Sequence, residues 1–575
     1  MAMRWGYWKR VLAGAIFGLY MAHLLYFLNP QIDMTAWRLV SLTLVYGAIC
    51  GFLFGSALWL LRILRVRLFG RALTAAGEPR THGFGFIVLA AFVSLLVYWI
   101  HLHVLRIYLP IGAVRILSMA TNVVAGTAFV LFILWLFERT AGKRRSRAIT
   151  VTGCLFVVVS SFFLYERRDS YRADRQRVVV ANVGLLAGER PTIVVAIRNL
   201  PYDWIITLLG EGSLPFFESS RRDGFFTRLD PFPANSPKAI WASMATGKLP
   251  YRHGVTGRFS YRTPLNPAPG EQFLLIPGGV GFYAWGLIPP VQRISAPLPA
   301  GDAMPLWAMF ERLSFRTAVV NWPSAGKLGA SFVATDRFFN RQRVAGEVTP
   351  ASETVAALSL DKPIDASLAA RFNGTRPYAH RRAIEELRRD LWAGAVCSRA
   401  ARDGHYELTV LALDGLAETE SALRLSQNAL PEKTTAAGGA VRAYVEQLDR
   451  FLQTLVRDFP DRTIVVVSPS GPAPPIIPVT PWAWAKLAID PDDPGADDGF
   501  VVIRGRGVAH RENPQLAVAT DIVPTVLFAA GLPLGRDMDG RVLTEAFTES
   551  VLRTTGLSMI QTYEARKLVI RRAGG

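Results

Sequence analysis

Hydrophobic and polar positions divide this chain into two regimes. Before residue 166 the apolar residues run together in five long stretches: roughly Val11–Leu28, Leu39–Leu61, Gly83–Leu105, Ile116–Phe137 and Ala148–Tyr165. Each is close to the ~20 residues a helix needs to cross the hydrocarbon layer. The pattern therefore predicts a five-helix transmembrane domain over residues 1–165. After a charged neck at 166–190 the pattern changes to short apolar runs separated by segments of helical spacing. Predicted strands fall at Ile193–Ile197, Phe225–Leu229, Thr317–Asn321, Glu407–Leu413, Thr463–Ser468 and Phe500–Arg504. Predicted helices lie at Tyr202–Leu209, Ser236–Thr246, Pro305–Leu313, Arg381–Arg399, Gly439–Arg457 and Ile522–Ala530. Short, fully apolar strands alternating with amphipathic helices predict an α/β sandwich around a mostly parallel sheet, spanning residues 191–550. A Gly/Pro-rich stretch at about 261–302 reads as a cap insertion over one end of that sheet, and 551–575 reads as a C-terminal tail.

Charge supplies orientation. Residues 1–165 hold 16 Lys+Arg against 3 Asp+Glu, and the remainder holds 48 against 42, so the formal net charge of +19 is concentrated in the membrane loops. That distribution argues against a nucleic-acid partner. Basic residues cluster before the first span, in the second loop (Arg62, Arg65, Arg67, Arg71, Arg80) and in the fourth (Arg139, Lys143, Arg144, Arg145, Arg147). The positive-inside rule then puts the N-terminus in the cytoplasm and, after five crossings, residues 166–575 outside it. The expected partner is the lipid bilayer, and the expected location a bacterial inner membrane with a periplasmic C-terminal domain. His23, His101, His103 and Asn122 fall within the spans and are expected to pack or to sit at the interface. Three cysteines, two of them in apolar runs, leave Cys397 without a partner and exclude a disulfide framework in the C-terminal domain.

Three stretches carry further information: Asn235-Ser236-Pro237 with Trp241-Ala242-Ser243-Met244-Ala245-Thr246-Gly247-Lys248 and His253-Gly254; Ala318-Val319-Val320-Asn321-Trp322-Pro323; and Thr520-Asp521-Ile522-Val523-Pro524-Thr525 followed by Arg536-Asp537-Met538-Asp539-Gly540-Arg541. In order and approximate spacing, over about residues 190–547, they resemble the type I phosphodiesterase/nucleotide pyrophosphatase family of the alkaline phosphatase superfamily. The resemblance implies two divalent ions held by Asp and His at strand ends, and a Ser or Thr nucleophile at a helix N-terminus. Paired cations stabilise attacking and leaving oxygens, and the helix end adds partial positive charge.

Tested against that pattern, the ligand positions are degenerate. The first strand ends in Arg198-Asn199-Leu200 where the family has Asp then Gly. Asp414 is kept, and Glu418 stands where the family has His. The Asp and His expected after Thr463–Ser468 are Pro469 and Ser470, and the last His falls near Gly495 in a stretch without an imidazole. One of six ligand positions is matched. Ser236 aligns best with the nucleophile, with Asn235 as the alternative at that spot, and the same residues form a standard helix N-cap before Pro, which is the role expected to survive. Asp497, Asp498, Glu418 and Glu420 are acids that a relocated single-metal site would draw on, or solvated loop charges. The sequence thus predicts a pseudohydrolase that needs no cofactor and that binds, scaffolds or regulates in the cell envelope, with envelope proteins, lipids or glycans as partners. Its alternative is a divergent phosphodiesterase or phosphotransferase requiring zinc or another divalent metal.

Overall fold

A computed structural model of the chain describes residues 2–29, 32, 34–75, 84–104, 111–140, 143–169, 178–183, 190–230, 237–253, 255, 259–262, 292–295, 303–322, 329–334, 364–403, 406–423, 430, 432–471, 498–565 and 567–572. The chain divides into two compact units, one built on the N-terminal helices and one on the C-terminal sheet.

The helical unit contains α1 (Ala2–Leu28), α2 (Ala36–Ala75), α3 (Phe84–Val104), α4 (Ile111–Thr140) and α5 (Lys143–Asp169). All five are long and apolar enough to cross a membrane. α1 and α2 pack closely because small residues recur along their seam. Gly47, Gly51 and Gly55 are spaced four apart on α2, and a Cβ added to Gly51 would lie 3.1 Å from the Val11 carbonyl oxygen. On α1, a Cβ on Gly18 would come within 2.4 Å of the Tyr46 carbonyl. This is the spacing that lets helix backbones approach in lipid, where dispersion and not water exclusion drives packing. At the end of α5, the buried Arg168 guanidinium donates to the carbonyls of Tyr26 (2.9 Å), Asn29 (3.2 Å) and Ile32 (2.8 Å), satisfying acceptors that the end of α1 leaves open. Of the intramembrane histidines, His23 is fully buried with Nε2 2.7 Å from Ser161 Oγ. His101 is also buried, 2.7 Å from its own helix's Val97 carbonyl, and His103 stacks 4.7 Å from Trp99. His101 therefore packs inside the unit.

The second unit is a sheet with helices on both faces. In chain order the strands are β1 (Val178–Val183), β2 (Thr192–Ile197), β3 (Phe225–Asp230), β4 (Phe259–Arg262), β5 (Gln292–Ser295), β6 (Thr317–Val320), β7 (Phe332–Ala334), β8 (Leu408–Leu413), β9 (Thr463–Ser468), β10 (Gly499–Arg504), β11 (Ala517–Val518), β12 (Leu534–Gly535), β13 (Met559–Ile560) and β14 (Lys567–Arg572); β4 and β5 belong to the first unit and the others to the second. Eight of them form one sheet in the order β11-β3-β10-β9-β2-β8-β6-β7. β2 lies at its centre, parallel to β8 and β9 in register from Thr192, and only β10 runs against its neighbours. The central strands are buried on both faces, as their unbroken Val/Ile/Leu runs require. Alternate residues feed two cores. Val194, Ala196, Val465 and Val467 join one, with Trp241, Trp307 and Phe528, while Ile193, Val195, Ile464 and Val466 join the other, with Trp204, Tyr444 and Leu448.

Helices that matter for the site are α6 (Tyr202–Gly210), α7 (Pro215–Asp223), α8 (Pro237–Thr246), α9 (Pro377–Asp403), α10 (Gly415–Leu423), α11 (Ala436–Asp458) and α12 (Ile522–Ala529). Two expected boundaries shift. The neck at 166–190 is not irregular throughout, since β1 lies in it and pairs parallel with β14. The tail beyond 550 belongs to the domain: Val551, Ile560 and Tyr563 are buried in its core, and β13 pairs with β12. Most of the expected cap at 261–302 lies outside the described residues, and its flanks form the antiparallel pair β4–β5.

Candidate functional site

In an open α/β sheet, ligands gather beyond the carboxyl ends of the strands, and here those ends belong to β2, β6, β8 and β9. Two of the turns that follow are left-handed at asparagine. Asn199 after β2 has φ 62°, and Asn321 after β6 has φ 54°. Asparagine tolerates this region better than other residues with a side chain, because its short amide bonds locally. Both amides bond across the sheet. Asn321 Nδ2 donates to the Ala412 carbonyl (3.0 Å) and lies 3.4 Å from Asp414 Oδ1, and Asn199 Nδ2 donates to Glu420 Oε2 at 3.3 Å.

At and beside the described positions where the resemblance implies metal ligands, side chains are tied to the protein. The Arg198 amide donates to the Leu413 carbonyl (2.9 Å), and its guanidinium meets Glu418 Oε1 at 3.4 Å. Arg382 of α9 reaches the other Glu418 oxygen at 3.5 Å and Glu386 at 2.8 Å, and Arg389 adds a third cation at 3.1 Å from Glu386. Glu418 is 38% exposed, so these contacts contribute little to stability. Their consequence is electrostatic: two guanidinium groups stand where a metal site would need uncompensated carboxylates. After β9, the Ser468 hydroxyl accepts from the Leu200 amide and donates to the Ser470 carbonyl, each at 3.2 Å, so Pro469-Ser470 closes a turn onto β2. The Ser468 carbonyl also packs so closely on Gly499 that a Cβ there would sit 1.9 Å from it. Asn235, Ser236, Gly495 and Asp497 lie outside the described residues. Asp498 pairs with Arg228 at 3.3 Å, away from Glu418 and Glu420.

Behind this layer lie buried groups, of which the sequence singles out Glu420 but not Asp390 or Tyr444. Asp390 of α9 is 3% exposed and accepts from the Gly415 amide (3.2 Å) and the Tyr444 hydroxyl (2.8 Å). Burial, aided by the neighbouring Asp414 charge, holds its carboxyl well above the usual range. It fixes the turn from β8 into α10, which carries Asp414 and Glu418; a Cβ on Gly415 would lie 2.1 Å from the Tyr444 hydroxyl. Glu420, one turn further, is 4% exposed, and one of its oxygens has no hydrogen-bond partner. Burial pushes it up to about 8, opposed by the Asn199 amide and the Arg198 charge. The sequence signal for Asp390 was an acid on the apolar side of a helix, disguised by the arginines beside it.

The motifs that carried the resemblance join one another. Trp241 of α8 packs edge-on against Trp322 (5.0 Å), which in turn packs on Trp307 (5.4 Å). The Gly247 carbonyl accepts from the Asp539 amide (2.9 Å), and Asp539 Oδ2 accepts from the Leu249 amide (2.8 Å). Buried Lys248 pairs with Asp537 (2.5 Å) and Glu564 (2.6 Å). Asp521 accepts from the Val518 and Arg541 amides (3.0 and 2.8 Å), and Thr525 accepts from the Leu543 amide (3.0 Å). His253 is a buried packing group. Its Nδ1 accepts from the Val255 amide (3.0 Å), so Nε2 carries the proton toward Ser243 Oγ (2.9 Å), and burial pushes the imidazole down to about 3. The described parts of these segments build a joint that anchors the C-terminal end of α8.

Comparison with solved structures finds loose likenesses. An alkaline phosphatase, PafA, is 10% identical over 66% of this chain and 100% of its own, with a TM-score of 0.41. The lipoteichoic acid synthase LtaP from Listeria monocytogenes is 13% identical over 64% of this chain and 78% of its own, at 0.33. A protein in the alkaline phosphatase superfamily from Vibrio parahaemolyticus is 11% identical over 64% and 74%, at 0.36. The neighbours are alkaline phosphatase superfamily structures. At these identities and scores the likeness carries nothing about chemistry. No protein-family model matches the chain, and no curated protein does.

The donors present decide whether a metal pair fits. Two dications about 4 Å apart need several anionic ligands to offset their repulsion. Among the described residues, no group of three or more His, Cys, Asp or Glu is arranged to hold a metal ion. Asp414 and Glu418 stand among arginines, and Glu420 is held toward its neutral form. The described residues do not fit a two-metal centre.

Proposed function

We propose that this chain is a membrane-anchored, extracytoplasmic pseudohydrolase, a domain of type I phosphodiesterase ancestry that binds, scaffolds or regulates in a bacterial cell envelope without two-metal catalysis. The observation that carries the reading is the Arg198–Glu418–Arg382 arrangement at the ends of β2 and β8. The Arg198 guanidinium stands beside Asn199, the position where the resemblance implies a carboxylate ligand, and it is bonded to Glu418, which stands in for a histidine. Fixed cations there raise the cost of bringing in a dication and use up the carboxylate that would hold it. The ordering of the strand-end turns agrees: Asn199, Asn321 and Ser468 spend their polar atoms on the protein itself. Five apolar helices and the basic loops support the anchor and its orientation.

Hydrolysis of an aryl phosphodiester by the full chain in detergent, with zinc, manganese or calcium supplied in turn, tests the reading. The expected outcome is turnover no higher than that of Asp414→Ala under every metal. Metal-stimulated turnover that Asp414→Ala abolishes would overturn it in favour of a divergent phosphodiesterase or phosphotransferase.

A further inference from the structure

The spans Arg10–Leu28, Ala36–Ala57, Phe84–His103, Val114–Arg139 and Arg147–Arg168 hold a single carboxamide, Asn122 of α4. At a rise of about 1.5 Å per residue it lies about 7 Å from the middle of its span, well inside a hydrocarbon layer about 30 Å thick. Its side chain is too short to reach the head groups from there. Asn122 is exposed on the surface of the helical unit, and its amide makes no hydrogen bond to another described residue. Neighbouring polar groups are provided for. Ser94, Thr121 and Thr127 each return a hydroxyl to the carbonyl four residues back (2.8 Å), Tyr98 donates to the Tyr20 carbonyl (2.9 Å), and the Tyr20 hydroxyl meets Ser160 (2.9 Å).

α4 has two faces. Leu117, Ala120, Val124, Ala128 and Leu131 are buried in the bundle. Asn122 lies on the opposite side with Gly126, Phe129 and Ile133, at the alternating four- and three-residue spacing that keeps side chains on one face. A Cβ added to Gly126 would meet nothing within 4 Å of its own chain. Phe129 is 62% exposed. Apolar exposure is ordinary for a helix in lipid. An unpaired amide is not, because an unsatisfied polar group in hydrocarbon carries a desolvation cost that a hydrogen-bonding partner removes.

We propose that α4 is the contact between two copies of this chain in the membrane, with Asn122 beside the twofold axis and the two Asn122 amides bonded to each other. The chemistry selects a second copy. A carboxamide presents a donor and an acceptor of opposite partial charge, so it complements itself when a twofold axis sets two side by side, each N–H donating to the other's C=O. Copies inserted with one orientation lie parallel, as a twofold axis along the membrane normal requires. Gly126 then lets the two backbones approach, and Phe129 and Ile133 pack beside the polar pair. The seven-residue spacing of Asn122 and Phe129 suits the shallow left-handed crossing of membrane bundles. Arg115, seven residues before Asn122 on that face, lies at the end of the span, where water and ions screen it from its counterpart. The inference concerns the helical unit alone and is independent of whether the strand-end site holds a metal.

Energy transfer between full-length chains carrying donor or acceptor dyes at the C-terminus tests it, in phosphatidylethanolamine/phosphatidylglycerol liposomes over a range of protein-to-lipid ratios. The parent is expected to give transfer above random proximity that rises linearly with acceptor fraction, the signature of a dimer. Asn122→Leu is expected to weaken association about three- to thirtyfold, with the thermal midpoint of the dissociated chain unchanged. Asn122→Gln, which keeps the amide, is expected to retain most of the affinity. Gly126→Leu is expected to weaken association by filling the gap between copies, without meeting its own chain. Thr152→Leu, at an exposed position of α5, is the control and is expected to change nothing. Transfer at the random level in the parent, transfer that curves with acceptor fraction as in a larger assembly, a dimer indifferent to Asn122→Leu, or equal losses in Asn122→Leu and Asn122→Gln would each overturn the assignment.

Discussion

Glu420→Gln isolates one buried ionisation at the strand-end site. Glu420 is 4% exposed, and burial lifts its carboxyl from an ordinary 4.5 to about 8. The folded chain therefore holds this proton more tightly than the unfolded one. The stabilisation is complete below pH 4.5, is lost progressively as pH rises toward 8, and falls no further above it. Within that window each pH unit costs about 1.4 kcal/mol. From pH 6.5 to 8 the loss is about 2 kcal/mol, allowing for the flattening as the folded group itself ionises. Glutamine keeps an oxygen to accept from the Asn199 amide and cannot ionise. Other displaced groups titrate alike in both proteins, and Asp449, pushed up to about 6 by burial, has largely finished its change before the window opens. The assay is the thermal midpoint of the full chain in detergent, followed by tryptophan fluorescence at pH 6.5 and 8. The variant is expected to gain on the parent between the two pH values by about 2 kcal/mol, a shift of several degrees at most for a domain this large. Parallel pH profiles would show that Glu420 is already ionised at pH 6.5, and the reasoning that this site is too dry to carry a free carboxylate would fail.

Three further outcomes follow from single contacts. Asp449→Ala is expected to cost about 2 kcal/mol, because the carboxylate of α11 accepts from the amides of Phe216 and Phe217 (3.0 and 3.1 Å) at the start of α7, and denaturant unfolding monitors it. Asn321→Ala is expected to lose about 1–2 kcal/mol from the left-handed turn and from the bond to the Ala412 carbonyl, while Asn321→Gly recovers part of it. Gly18→Leu is expected to separate α1 from α2, read as a lower midpoint and new protease cleavage in the helical unit, with Gly126→Leu, where a Cβ would meet nothing within 4 Å, as the tolerated control.

Much of the architecture was legible because burial leaves a plain trace in sequence. Ile464-Val465-Val466-Val467 is an unbroken apolar run, and the sheet buries both of its faces. What escaped was structure whose partners lie far away. Val178–Val183 sits in a charged neck, and its strand exists through pairing with Lys567–Arg572. α7 is nine residues long and opens at proline, too short for helical periodicity to declare itself. Asp390, between Arg389 and Leu391, reads as one more solvent charge, and only Tyr444, 54 residues on, makes it interior. The site was half legible. Pro469, Ser470 and Asn199 were identifiable as departures from a ligand pattern, but that Arg198 would bond Glu418, and that Lys248, Asp521 and Asp539 would serve packing, depended on contacts across the fold.

On the proposed reading, arginine has taken the place of metal at the ends of β2 and β8. Elemental analysis of the purified full chain for zinc, manganese and calcium, after equilibration with each ion and removal of the excess, tests it most directly. The expected content is below about a tenth of an equivalent per chain, unchanged by Asp414→Ala. One or two equivalents of any of these ions, lost in Asp414→Ala, would contradict it.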